Sequence, residues 1–153
     1  MKGWINAMTT KEMKSKVMTI ANALVKQGVK RSTAMVRAWI LVKLNRITVK
    51  AVGVTFGIRQ QLLHRLAKYQ PQDVSVLLRR ERENTADSNA VQVIAAVRGK
   101  GKAVIGYLNR EIAACIAALM DGGKTVYSRF GGITGGEECR LTYGLNLDIA
   151  LTA

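Results

Sequence analysis

The segment Arg80-Glu81-Arg82-Glu83-Asn84-Thr85-Ala86-Asp87-Ser88-Asn89-Ala90-Val91 places three carboxylates, two asparagines and two arginines between two apolar runs. Asn and Asp side chains bond backbone groups a residue or two away, so Asn84 and Asn89 are suited to holding a shaped loop. Asp87 has another use, because a carboxylate accepts a hydrogen bond from a hydroxyl while it repels a phosphate. Glu81, Glu83 and Asp87 could hold a cation only if the loop folded back on itself, and loop structure is the simpler use of them.

Catalytic chemistry finds little support. The one histidine, His64, stands among leucines and arginines, and no Ser or Cys has the local signature of a nucleophile with its base. Cys115 and Cys139 form no CxxC and read as free thiols of a reducing compartment. Gly122-Gly123-Lys124-Thr125 lacks the upstream glycine of a phosphate-binding loop. No catalytic residue, metal site or cofactor is expected.

Charge points elsewhere. The chain of 153 residues has a formal net charge of +14, which favours a polyanionic partner, nucleic acid before a membrane surface. Residues 1–50 hold 11 Lys+Arg against one acid, a balance of +10, and residues 51–153 hold 13 against nine, a balance of +4. No apolar run has the roughly 18 residues of a membrane span, and no signal-peptide core is evident, so a cytoplasmic protein is expected. Only 5% of residues are aromatic, so each ring outside a core merits attention.

The elements that would position these residues read in two parts, 1–45 and 46–153. Thr9 followed by Glu12 has the spacing of a capping box, and Met13, Val17, Ile20, Ala21, Leu24 and Val25 then recur at helical spacing up to Gly28. Ser32 is expected to cap a second helix to about Asn45, with Met35, Ala38, Trp39 and Val42 inward. This basic helical hairpin is either a DNA-reading helix-turn-helix with Arg31 and Arg37 near the start of its second helix, which lacks a third helix, or an appendage packed on the barrel or on a partner.

After residue 46 the texture becomes strand-like. Strands are expected from Arg46 to about Phe56, then over 74–78, 90–97, 104–107, 124–133 and 139–151. Helices are expected over about 58–69, ended by Pro71, and over 110–120, capped by Asn109. The fold class is therefore α+β, a small open or closed barrel of five to six strands with two inserted helices, preceded by the hairpin.

Three ordered motifs carry a resemblance. Val76 to Val93 has an apolar strand, Arg82-Glu83, Asn84, two residues, Asp87, one residue, Asn89-Ala90 and a second strand. Upstream stands Val52-Gly53-Val54-Thr55-Phe56, and downstream Ile105-Gly106-Tyr107-Leu108-Asn109-Arg110-Glu111-Ile112-Ala113. Together they resemble the HIRAN domain family over about residues 46–151. The resemblance implies a modified OB-like barrel that binds single-stranded DNA, particularly a free 3′ end, usually as a targeting module of helicases or nucleases.

By position it also implies that Phe56 stacks a base, Asp87 bonds the terminal 3′-hydroxyl and Tyr107 lies near the end nucleotide, with Tyr143 as a last-strand aromatic. Thr55 stands where the family can have Arg, and Ala86 where it can have a ring, so one cation and one stacking surface are missing. Independently, Arg79, Arg80, Arg82, Lys100, Lys102, Arg110 and the N-terminal lysines are placed to form a salt-sensitive basic groove. The expected function is non-enzymatic binding of single-stranded DNA, alone or alongside a helicase or nuclease. The alternative is an interaction or inhibitor module that docks on a nucleic-acid enzyme through its N-terminal helices.

Overall fold

The computed structural model describes residues 8–151. Helix α1 (Thr10–Lys26) begins at the capping box: the Thr9 hydroxyl accepts the Glu12 N–H at 3.2 Å, and the Glu12 carboxylate accepts the Thr9 N–H at 2.8 Å. It stops where Gly28 takes φ +93° and the Val29 N–H reaches the Leu24 carbonyl at 3.0 Å. Helix α2 (Arg31–Leu44) starts directly from this turn, with Lys30 outside it and no side-chain cap. Ser32, expected as the cap, lies within the first turn, because the Lys30 carbonyl already accepts the Ala34 N–H at 2.8 Å and the helix starts at Arg31. Asn45, at φ +57°, ends α2.

Among the described residues, six strands form two antiparallel sheets. One holds β1 (Arg46–Lys50), β5 (Tyr127–Thr134) and β6 (Gly144–Ala150) in the order β1-β6-β5. The other holds β2 (Val74–Arg80), β3 (Val91–Val97) and β4 (Gly101–Tyr107) in sequence order. Helix α3 (Arg59–Leu66) follows β1, and α4 (Arg110–Asp121), capped by the Asn109 side chain at 2.9 Å from the Ile112 N–H, follows β4.

The sheets touch without a continuous ladder. Val52 and Tyr107 exchange backbone bonds of 2.8 and 2.9 Å, and the Ser128 hydroxyl donates to the Val76 carbonyl at 2.6 Å. The class is α+β as the sequence indicated, and of the two barrel forms it is the open one. The strand expected up to Phe56 ends at Lys50, and Phe56 sits in the turn before α3. Glycines at 53 and 57, both with positive φ, bend the chain out of the ladder there.

One core runs through everything. Val17, Ile20 and Leu24 of α1 join Val42 of α2, Ile116 of α4, and Val93, Ile105 and Leu147 of the sheets in a single buried cluster. Each such side chain contributes about 1.5–3 kcal/mol by leaving water. Lys16 is buried with them, and its ammonium donates to the Leu151 carbonyl at 2.7 Å, tying the hairpin to the end of the last strand. Burial, with Lys124 nearby, pushes its pKa below the ordinary lysine value. Among the described residues no helix is long and apolar enough to cross a membrane.

Candidate nucleic-acid interface

The ring of Phe56 is the most exposed aromatic surface among the described residues, at 68%. It lies over the backbone of Gly53, where an added Cβ would come within 3.7 Å of the ring. A folded chain gains little from an exposed phenyl group, so this ring is available for stacking.

A single close approach positions that turn. Gly106 of β4 packs against the Val52 carbonyl, and a Cβ at 106 would stand 2.5 Å from that oxygen. Glycine here therefore lets the 52–56 segment lie against β4 and form its bridge with Tyr107. From the first turn of α3, Arg59 donates to the Gly53 carbonyl at 2.7 Å, and its guanidinium lies 5.4 Å over the Tyr107 ring. Gln60 beside it donates to Val54 at 3.0 Å and to the Tyr143 carbonyl at 2.9 Å, and accepts the Tyr143 N–H at 2.8 Å. One helical turn thus fastens the Phe56 turn to both sheets.

The segment 81–90 leads on from Tyr107 through hydrogen bonds. The Glu81 carboxylate accepts from Asn84 at 2.8 Å and from Gln92 at 3.2 Å, and Gln92 in turn accepts from Arg79 at 2.8 Å. The Asn84 bond first, then the Tyr107 hydroxyl, with Arg79 and Gln92 adding less, hold Glu81 below the ordinary glutamate range despite burial. The Asn84 side-chain oxygen Oδ1 accepts the N–H groups of Ala86 and Asp87, each at 2.9 Å. Asp87 accepts the Asn89 N–H with one carboxylate oxygen, at 2.9 Å. The bracing expected of Asn84 and Asn89 is therefore done by Asn84 and Asp87, and Asn89 offers its backbone. The second carboxylate oxygen of Asp87 has no hydrogen-bond partner among the described residues.

The expected basic residues separate. Strand alternation sends Arg79 and Arg80 to opposite sides. Arg79 is exposed beside Gln92. The side chain of Arg80 is only 11% exposed; it meets both oxygens of Asp121 at 3.0 Å and donates to Ala90 and Ser88 at 2.8 and 3.1 Å. Arg82 adds a bond to Asp121 at 3.0 Å, and these arginines hold Asp121 below the ordinary aspartate range. Arg80 is thus the strut of the loop, committed to Asp121.

Arg110 is exposed at the start of α4. Tyr143 sits apart, its ring against Gly136 and its hydroxyl 2.7 Å from His64 Nδ1. The structure therefore joins Phe56, Tyr107, Asp87 and Arg79 through shared partners, links Tyr143 to them through Gln60, and turns Arg80 inward. Sequence reasoning missed Arg59, Gln60 and Gln92 as organisers, and the only signal was a polar triplet with Gln61 opening an otherwise leucine-rich helix.

No three His, Cys, Asp or Glu side chains gather as metal ligands among the described residues. Both cysteines are free, and burial raises the Cys115 thiol to a pKa of about 11.

No curated protein matches the chain. Two solved structures are similar to it. The crystal structure of the HIRAN domain of human HLTF is 19% identical, with a TM-score of 0.47, over 69% of this chain and 73% of that one. A protein from Lactobacillus plantarum is 24% identical, with a TM-score of 0.44, over 67% of this chain and 91% of that one. The sequence model of the HIRAN domain matches residues 44–152, most of the chain, which therefore belongs to the HIRAN domain family.

Proposed function

We propose that this chain is a non-enzymatic module that binds single-stranded DNA at or near a free 3′ end. Membership of the HIRAN family supports nucleic-acid binding in general. The observation that carries the finer reading is the exposed Phe56 ring, held beside the Arg59–Tyr107 pair and joined through Glu81 and Asn84 to Asp87. A base stacks on Phe56, Arg79 and Arg110 approach phosphates, and the remaining oxygen of Asp87 accepts the terminal hydroxyl. A phosphate at that end would meet the carboxylate and be repelled.

Fluorescence anisotropy with matched oligonucleotides ending in a 3′-hydroxyl or a 3′-phosphate, across a salt series, tests this. The hydroxyl end should bind more tightly, and Asp87→Ala should remove the difference. Equal binding of both ends, with all affinity gone at moderate salt, would reduce the reading to charge alone. Cleavage of the DNA with Mg²⁺, abolished by Asp87→Ala, would overturn the non-enzymatic reading.

The alternative, docking on a nucleic-acid enzyme through the N-terminal helices, has one observation in its favour. Val36, Ile40 and Leu44 form an exposed stripe along α2, each more than half accessible.

A further inference from the structure

Beyond the Phe56 turn, α3 lies alongside β4. Arg59 at the start of the helix stands over Tyr107 at the end of the strand. Farther along both elements a cavity of about 340 Å³ opens between Leu62 and Leu66 on one side and Ala103 and Ile105 on the other. Its rim is Arg65, Tyr69, Lys100 and Lys102, and no acidic residue lines it. None of the three rim cations has a side-chain hydrogen bond or ion pair among the described residues. Tyr69 leaves 39% of its surface exposed. From Ala51 to Gln72 the sequence has no acid at all, so nothing on α3 offsets the field of Arg65 and Lys68.

An apolar floor, one accessible ring and a wholly cationic rim fit a planar apolar group attached to phosphate. Ile105 and Ala103 stand two and four residues before Tyr107, about 7 and 13 Å along β4, so the cavity lies beyond the Tyr107 end, where the next nucleotides of a strand passing it would fall. We infer that the α3–β4 groove is a second subsite for the same single strand: an interior base enters against Tyr69, and Arg65, Lys100 and Lys102 take the flanking phosphates. This rests on the proposed strand-binding function and adds the direction of the path, from Tyr107 along β4 towards its hairpin with β3.

The test is anisotropy with a trinucleotide and a dodecanucleotide, each with a 3′-hydroxyl or a 3′-phosphate. The proteins are the full chain, its Arg65→Ala/Lys102→Ala double variant and Tyr69→Ala. The dodecanucleotide should bind the unaltered protein more tightly than the trinucleotide. The double variant should lose that gain and lower the salt slope by about 1.4, two single-strand phosphate contacts, with its 3′-hydroxyl preference unchanged. Tyr69→Ala should weaken the dodecanucleotide by about 5- to 150-fold and leave the trinucleotide alone. A length gain that persists in both variants would overturn the groove and leave end recognition standing. A groove-dependent length gain with no end preference would overturn end recognition and keep the groove. Failure of the unaltered protein to bind either oligonucleotide, or equal competition by a free mononucleotide, would overturn the subsite.

Discussion

The two sides of segment 81–90 are built from the same residue types and do opposite things. Towards α4, Arg80 and Arg82 converge on Asp121, and all three guanidinium nitrogens of Arg80 are engaged. Towards Tyr107, Glu81 and Asn84 organise the loop through neutral donors; Phe56 and Arg79 stay exposed, and one oxygen of Asp87 keeps no hydrogen-bond partner among the described residues. A guanidinium fixed by a carboxylate is structure, whereas an exposed ring, or a cation held only by a neutral amide, is free to meet a ligand.

Four variants separate these sides. Gly106→Val should have the largest effect, because its Cβ would displace the Val52 carbonyl on which the Phe56 turn rests. A loss of about 3 kcal/mol, or roughly 6–12 °C in Tm, together with loss of DNA binding, is expected in thermal melts and anisotropy. An unchanged Tm with intact binding would show that the turn does not depend on that approach.

Phe56→Ala should act on binding alone, costing about 1–3 kcal/mol of affinity with no change in Tm, since the ring contributes little to the core. Asp121→Asn should do the reverse, lowering stability by about 1 kcal/mol, a value reduced for its partial exposure, with affinity preserved. The folded pKa of Asp121 is depressed, so its contribution is complete above the ordinary aspartate value of about 4 and is lost as pH falls through the folded value. The Tm difference between the unaltered protein and Asp121→Asn should therefore close in acid; a gap that is constant with pH would locate the effect elsewhere. Smallest is Arg79→Ala, expected to cost about 0.5 kcal/mol in affinity and to lower the salt slope by about 0.7, one phosphate contact.

Much of this was legible in order along the chain. The capping box at Thr9 and Glu12, the Gly28 stop and the Asn109 cap act over three or four residues, so their geometry is written in their spacing. The three HIRAN motifs, equally local, pointed to Phe56, Asp87 and Tyr107. The fates of the two adjacent arginines were not legible. Alternation places them on opposite faces, yet which face meets a carboxylate depends on Asp121, 41 residues away. Lys16 reads as another solvated lysine until its partner, 135 residues distant, is known.

The sequence by itself determined the capped starts of α1 and α4, the order of helices and strands, and the α+β class. Only the tertiary structure decided that the sheets stay open, that Arg80 is a strut, and that Arg59 and Gln60 bind the Phe56 turn to both sheets. Backbone capping and pleating are satisfied within a few residues, so local spacing specifies them. Desolvation and ion pairing depend on which distant groups the completed core brings together.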